Sequence, residues 1–249
     1  MPFLVVLPEH ALRASACLPR AEASRRAGLL FLHGSTSKLE ALKSNGVGDI
    51  ERYLDIFYLF RPTDGARLTE LYRRFFTAIA SHYEHYIRAD RNRDNIAFML
   101  HYLGAWALTD KDRVLDYGCG PGLSMGVAHS LKLGCVLVGL DTSPKMRRRA
   151  RGRGMTTTTI YQLDRLRRAQ VAAIFASYVL HFPTATEGLS VAWRALLPGG
   201  IFIGNFHKSR GFKEVKSFLL DQGGRLLSVD PAVSDVHGPY LAFRKPKRQ

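Results

Sequence analysis

The chain has 249 residues, enough for one large domain or for one domain with a substantial extension, and its composition of 46% hydrophobic and 23% charged residues is typical of a globular protein. Its formal charge of +15 attracts polyanions but says nothing by itself about fold or chemistry. No apolar run approaches the roughly 20 residues needed to span a bilayer, so we expect no membrane span. The three cysteines are widely spaced and form no CxxC pair, so we expect no metal site and a reducing, cytoplasmic environment.

The first 66 residues show few regular patterns. An apolar run at 28–33 predicts one strand, and residues 49–60 form an amphipathic stretch. The turn sequence RPTDG at 61–65 marks a boundary. We therefore expect an N-terminal extension over residues 1–66, to which the sequence assigns no role.

Residues 68–106 are rich in aromatic side chains at helical spacing. This pattern predicts two helices, broken around residues 89–93. We expect a helical cap or lid over residues 67–110, so that the N-terminal extension of the fold is mainly helical.

From residue 111 to residue 249, strand and helix patterns alternate with short connections. Strands are predicted at 113–118, 135–141, 156–164, 171–180, 201–207, 225–230 and 240–245, and helices at 123–134, 143–154, 186–200 and 211–224. The alternation predicts an α/β domain with a doubly wound, mostly parallel seven-stranded sheet. About nine residues separate the last two strands, too few for a crossover helix, so that pair should be antiparallel.

The stretch RVLDYGCGPG, which contains the first of these strands, ends in a glycine-rich turn. Gly118, Gly120 and Gly122 are spaced one residue more tightly than the G-x-G-x-x-G of dinucleotide sites, and no Gly-Lys-Ser/Thr of a phosphate loop follows. Asp116 would repel a pyrophosphate and attract an ammonium or sulfonium group. Asp141 ends the next strand, where an acid can accept hydrogen bonds from both hydroxyls of a ribose. These residues favour a positively charged ligand over a dinucleotide.

Four segments in this order resemble the class I S-adenosylmethionine-dependent methyltransferases. They are VLDYGCGPG, VLVGLDTSPKMRRRA, AIFASYVLHF and ALLPGGIFIGNF. The pattern is similar to the small-molecule branch that includes the ubiquinone and menaquinone methyltransferases, and it covers roughly residues 70–245. The resemblance implies a Rossmann-like fold with a reversed last strand, S-adenosylmethionine as cofactor and S-adenosylhomocysteine as product.

The resemblance also implies roles for residues at the strand ends. Asp116, Gly118 and Gly120 would hold the methionine end of the cofactor, together with the backbone of Cys119, and Asp141 would bind the ribose. Near the adenine, the resemblance implies Thr142, Met146 and Asp164, with Leu163 or Arg165 beside Asp164. Ser177 and Tyr178 would lie near the sulfonium, and Tyr83 or Tyr86 would lie over the cofactor. The basic QLDRLRRAQ departs from the family's acidic residue followed by an apolar pair at the third strand.

His181 and Tyr178 are the candidate catalytic residues, because Tyr178 ends the fourth strand and His181 lies just past it, on the ligand side. His181 would act as a base or orient the acceptor, or else be a rim histidine; His207 is a second candidate. The fourth-strand sequence Ser-Tyr-Val-Leu lacks the proline pair of the nucleic-acid amino-methylating enzymes and the Pro-Cys nucleophile of the cytosine carbon-5 enzymes. The leading hypothesis is therefore methyl transfer to an oxygen or nitrogen of a small molecule.

Two alternatives remain. The basic runs 145–154 and 165–168 are either a solvated surface or a footprint for RNA, and the latter would make the chain a tRNA or rRNA methyltransferase. A third hypothesis is a catalytically degenerate binding or scaffold subunit, against which the intact Asp116, glycine turn and Asp141 argue.

Overall fold

A computed structural model describes residues 2–19, 21–46, 49–54, 56–106, 108–165, 170–182, 185–230 and 238–247. The chain divides into two compact units, Met1–Ile87 and Arg88–Gln249. The division falls inside the segment 67–110 that we expected as one helical cap, so the two long helices of that segment belong to different units. None of the helices within the described ranges combines the length and apolar composition that crossing a membrane requires.

The first unit contains a five-stranded sheet with helices. Its strands are β1 (Phe3–Val6), β2 (Ala23–Arg26), β3 (Leu29–His33), β4 (Asp49–Tyr53) and β5 (Phe57–Arg61), and its helices are α1 (Ala11–Cys17), α2 (Thr36–Ser44), α3 (Gly65–Ile79) and α4 (Tyr83–Tyr86). The strand order is β2-β3-β1-β5-β4, in which β1 is parallel to β5 and antiparallel to β3.

The expectation of a mainly helical extension with a single strand missed this sheet. Its two edge strands, β2 (ASRR) and β4 (DIERY), are charged and largely exposed, and β4 buries only Ile50. Edge strands commonly carry charges, which discourage pairing with other chains and also remove the apolar pattern by which strands are recognised. The central strands bury Leu4, Val6 and Leu32, which belong to one apolar cluster of this unit.

The second unit contains the predicted seven-stranded sheet. Its strands are β6 (Arg113–Tyr117), β7 (Val136–Leu140), β8 (Thr156–Thr158), β9 (Val171–Ala176), β10 (Leu196–Asn205), β11 (Arg225–Asp230) and β12 (Tyr240–Arg244), and its helices are α5 (Ala89–Gly104), α6 (Leu123–Ser130), α7 (Pro144–Gly152), α8 (Ile160–Arg165), α9 (Ala185–Ala195) and α10 (Phe212–Asp221). The strand order is β11-β12-β10-β9-β6-β7-β8. Strands β6 to β10 are parallel, and β12 is antiparallel to both β10 and β11, which confirms the predicted reversal.

The order of the strands determines where a ligand can bind. From β6 the chain continues to β7 on one side, and it later returns to β9 on the other. The carboxyl ends of β6 and β9 therefore form a topological switch point, the usual ligand site of such sheets.

The central strands of this sheet are apolar and form the core of the second unit. Leu115, Ile174 and Phe202 have no exposed surface.

Three predicted boundaries are corrected by the structure. The strand expected at 156–164 ends at Thr158 and is followed by α8, because the backbone N–H of Thr159 bonds Gln162 Oε1 at 3.0 Å and caps the helix. The strand expected to reach residue 180 ends at Ala176. The helix expected at 186–200 ends at Ala195, since Leu196 already pairs with Val171 in the sheet.

Candidate functional site

The turn after β6 adopts a conformation that glycine accepts most easily. Gly118, Gly120 and Gly122 have φ angles of 79°, 52° and 82°, in the left-handed region. The backbone N–H groups of Gly118 and Cys119 donate to the carbonyl oxygen of Leu140 at 2.8 and 2.9 Å. The turn is thereby fixed beside the end of β7, where Asp141 follows.

The carboxylate of Asp141 joins the glycine turn to the start of α7. Its Oδ2 accepts the backbone N–H of Gly120 at 3.0 Å, and its Oδ1 accepts that of Ser143 at 2.8 Å. Burial raises the pKa of Asp141 to about 6, although these N–H groups and Arg147 oppose the rise. Each carboxylate oxygen keeps a second lone pair, so Asp141 can still accept hydrogen bonds from a ligand.

Asp116 is a second acid at this edge of the sheet. It is 3% exposed and accepts a hydrogen bond from the Ser124 hydroxyl at 2.5 Å. Burial raises the pKa of Asp116 to about 7, and the charge of Asp141 adds to the rise. Within the described part of the chain, no basic side chain forms an ion pair with Asp116. A cation bound here would therefore stabilise the ionised acid.

The side chain of Cys119 faces the interior. Its Sγ would lie 2.7 Å from a Cβ added to Gly139, and burial raises the pKa of the thiol well above its usual range. Only the backbone of Cys119 is therefore available to a ligand. Of the two residues predicted beside the adenine after β7, Thr142 is exposed, whereas Met146 is 1% exposed in the first turn of α7.

Asp164 does not end the third strand of the sheet. It lies in α8, where it is exposed and its Oδ1 forms an ion pair with Arg194 Nη2 at 2.6 Å, while Leu163 is buried. The residue that directly follows β8 is Thr159, which was not among the predicted cofactor contacts. The run of four threonines concealed the strand end, because β-branched residues extend a strand pattern.

A buried amide network holds the end of β9. The Ser177 hydroxyl donates to Asn92 Oδ1 at 2.8 Å and accepts from Asn95 Nδ2 at 2.7 Å. Asn95 Oδ1 in turn accepts from Asn205 Nδ2 at 2.9 Å and from the Tyr240 hydroxyl. Asn95 and Asn205 have no exposed surface. The structure thus ties Ser177, predicted beside the sulfonium, to α5.

Tyr178 follows with a backbone that only glycine adopts readily. Its φ is 50°, and its N–H donates to Asn205 Oδ1 at 2.7 Å, which holds this conformation in place. Burial raises the pKa of the Tyr178 phenol, while Arg91 and Asn205 oppose the rise. The next residue, Val179, packs on the glycine turn, since a Cβ added to Gly118 would lie 2.6 Å from its Cγ2. No local sequence pattern indicates this contact.

His181 lies beside these residues with one nitrogen unsatisfied. Its Nδ1 is buried and has no hydrogen-bond partner among the described residues. The ring lies 4.1 Å from that of Phe182 and 5.7 Å from that of His207, between centroids. Burial, followed by the charges of His207 and Arg210, lowers the pKa of His181 to about 3. The imidazole is therefore neutral at physiological pH.

The two tyrosines predicted over the cofactor lie in α4 of the first unit. The ring of Tyr83 is 6.3 Å from that of Phe76, and the ring of Tyr86 is 5.1 Å from that of Phe57. Both rings thus pack in the aromatic core of their own unit, and their place over a cofactor stays a prediction.

Comparison with known proteins identifies the second unit. Residues 115–204 match the family model described as a methyltransferase domain, a range that contains the glycine turn, Asp141 and the segment after β9. The match shows a methyltransferase domain within the second unit. No curated protein sequence matches the chain.

Solved methyltransferase structures share the fold. The Burkholderia thailandensis 1,6-didemethyltoxoflavin-N1-methyltransferase, with bound 1,6-didemethyltoxoflavin and S-adenosylhomocysteine, matches with a TM-score of 0.54 and 18% identity over 75% of this chain and 92% of that chain. A chain from the complex of the Haloferax volcanii Trm112 methyltransferase activator with a methyltransferase matches with a TM-score of 0.51 and 18% identity over 70% of this chain and 98% of that chain.

The methyltransferase unit carries most of the positive charge. It has 25 Lys and Arg against 12 Asp and Glu, whereas the first unit has 11 against 9. On α7, Lys145, Arg148 and Arg151 are exposed at a spacing of three, which places them on one side of the helix. In the other basic run, 165–168, only Arg165 lies within the described residues.

Proposed function

We propose that this chain transfers a methyl group from S-adenosylmethionine to an oxygen or nitrogen of a small molecule, leaving S-adenosylhomocysteine. The observation that carries the proposal is the carboxylate of Asp141, which is half-buried at the end of β7 and bonded to the glycine turn. When bound, the cofactor supplies an electrophilic methyl group on a positively charged sulfur.

The residues at the switch point suit that cofactor. Asp116 is buried and Asp141 half-buried, and both have raised pKa values, so a sulfonium or ammonium charge nearby would stabilise the ionised form of each. Asp141 would accept the ribose hydroxyls, and each charge-assisted hydrogen bond contributes about 1.5–3 kcal/mol. Beyond β8, we favour Thr159 over Asp164 for the adenine, because Asp164 is paired with Arg194 on the surface.

The residues after β9 would position the acceptor. His181 is neutral, and with a pKa of about 3 it is too weak a base to be effective near neutral pH. We therefore favour the role of an orienting hydrogen-bond partner through its unsatisfied Nδ1. Tyr178, whose phenol keeps its proton, would donate to the acceptor. Alignment alone supplies several kcal/mol in a transfer of this kind.

The acceptor class is tested by following the methyl group. The full chain is incubated with methyl-labelled S-adenosylmethionine and either a small-molecule extract or total RNA from cells. We expect label in the small-molecule fraction, and none with the variant Asp141→Ala. Label only in RNA would contradict the proposal and support the RNA hypothesis, which the exposed Lys145, Arg148 and Arg151 favour. Cofactor binding without label in either fraction would support a binding subunit.

Cofactor affinity should fall as the pH is lowered from about 8 to about 5.5. The pKa of Asp116 is raised to about 7 and that of Asp141 to about 6, so each acid gains a proton over this range and loses its attraction for a cation. If both must be ionised, linkage predicts a loss of roughly 100-fold. Calorimetry at several pH values measures it.

The matched control for the pH dependence is Asp116→Asn, which removes the group with the higher pKa. This variant should bind more weakly at pH 8 and show a flatter pH profile. A wild-type affinity that is constant between pH 5.5 and 8 would contradict a role for these acids.

A further inference from the structure

A cavity of about 240 Å³ lies at the edge of the methyltransferase sheet opposite the glycine turn. It is lined by Leu103 and Trp106 at the end of α5, Asp112 before β6, the beginnings of β9 and β10, and Arg244 at the end of β12. The length of a five-residue strand, roughly 15 Å, separates it from the switch point. The cavity therefore has no part in the site described above.

An irregularity in the sheet forms one wall of the cavity. The pairing of β10 with β9 moves from Leu196 opposite Val171 to Ile201 opposite Ala173, so residues 197–200 bulge out of register. A Cβ added to Gly200 would lie 2.7 Å from the carbonyl oxygen of Ala172, and only glycine fits there. The sequence LPGG at 197–200 thus forms one wall of the cavity. Bulges of this kind are common beside functional sites.

A half-buried cation without an acidic partner faces this space. The guanidinium of Arg244 lies 5.3 Å from the ring centroid of Trp106, and its Nε donates to the carbonyl oxygen of Gly199 at 3.2 Å. No carboxylate pairs with it in the described part of the chain. The nearby acid, Asp112, instead accepts the N–H and the hydroxyl of Thr109, both at 2.8 Å. The remaining N–H groups of Arg244 can accommodate an anion.

Two of the apolar side chains that line the cavity are partly open to solvent. Trp106 and Leu197 are each 37% exposed, a high value for large apolar side chains beside a cavity. The exposed Lys247 adds a second positive charge near the Gly199 end of the opening, because its Cε would lie 3.6 Å from a Cβ on Gly199. An occupant that matches these features has an apolar ring and one negative charge.

We infer that this cavity binds a small aromatic carboxylate, with its ring against Trp106 and Leu197 and its carboxylate paired with Arg244. Guanidinium and carboxylate groups form two parallel hydrogen bonds, the strongest pairing available to an exposed anion. The volume suits a single ring with a short side chain, since drug-sized ligands occupy about 300–1,000 Å³. This site is independent of the proposed methyl transfer.

The test uses phenylacetate as the probe and tryptophan fluorescence as the signal. The chain has two tryptophans, of which Trp193 is 3% exposed, so a ligand in the cavity should change mainly the emission of Trp106. We expect saturable binding with a Kd of about 1 mM, which is reasonable for so small a ligand. Phenylacetamide, which lacks the charge, and acetate, which lacks the ring, should each bind at least about tenfold more weakly.

The variant Arg244→Gln should weaken phenylacetate at least about tenfold and leave phenylacetamide unchanged, because only the charged pair is lost. Lys247→Gln is the matched control and should have a smaller effect. Leu197→Asp, at an exposed wall position, should also weaken phenylacetate selectively by repelling the carboxylate. Binding of S-adenosylmethionine in the same samples should be unchanged. The inference is overturned if phenylacetate shows no saturable binding, if it binds no better than phenylacetamide, or if Arg244→Gln has no effect.

Discussion

Replacing Asp141 by alanine should weaken the binding of S-adenosylmethionine by about 100-fold or more. The change removes the acceptor proposed for the ribose, and two charge-assisted hydrogen bonds together contribute about 3 kcal/mol or more. It also frees the backbone N–H of Gly120, which Asp141 Oδ2 accepts at 3.0 Å, so the glycine turn loses an anchor. Isothermal titration calorimetry on the full chain measures the effect directly.

Asp164→Ala is the matched control, because Asp164 was also predicted to contact the cofactor. Its carboxylate is exposed and paired with Arg194, so its loss should change the cofactor affinity by less than about twofold. Asp141→Asn, which keeps one oxygen acceptor, should lie between the two. Equal losses for Asp141→Ala and Asp164→Ala would contradict the proposed contact between Asp141 and the ribose.

Gly211→Ala should destabilise the methyltransferase unit by about 2–5 kcal/mol. Gly211 has a φ of 74°, and an added Cβ would overlap the carbonyl oxygen of Leu180, a backbone atom that cannot rotate away. The strained backbone costs about 1–2 kcal/mol and the overlap about 1–3 kcal/mol more. The urea midpoint of unfolding, followed by circular dichroism, reports the loss.

Gly223→Ala separates the two causes. Its φ of 75° is nearly identical, but the atom nearest to an added Cβ is Pro246 Cγ at 3.9 Å, so the variant suffers the backbone strain alone. We expect a loss of about 1 kcal/mol. If Gly211→Ala costs no more than Gly223→Ala, the segment after β10 does not pack on the residues that precede His181.

Patterns local in sequence could be predicted well. The strands of the methyltransferase unit are short apolar runs between helices, and their spacing gave the parallel sheet and its antiparallel last pair. The glycine turn and Asp141 were recognisable because turn geometry and position at a strand end are both encoded within a few residues.

Features that depend on packing between distant segments could not be predicted. The hydrogen bonds of Asn95 to Ser177 and to Asn205 join residues that are 82 and 110 positions apart. The sequence around each asparagine does not distinguish it from an ordinary polar surface residue. The end of β8 was misplaced because a run of threonines suits a strand and a helix cap equally well. The charged edge strand β4 of the first unit has too little apolar surface to be recognised.

The most direct test is a calorimetric titration of the full chain with S-adenosylmethionine near pH 8. We expect saturable binding with one cofactor per chain, competition by S-adenosylhomocysteine, and loss of binding in Asp141→Ala. A folded wild-type chain that gives no heat of binding at millimolar cofactor, and no shift of its thermal midpoint, would contradict the proposed methyl transfer.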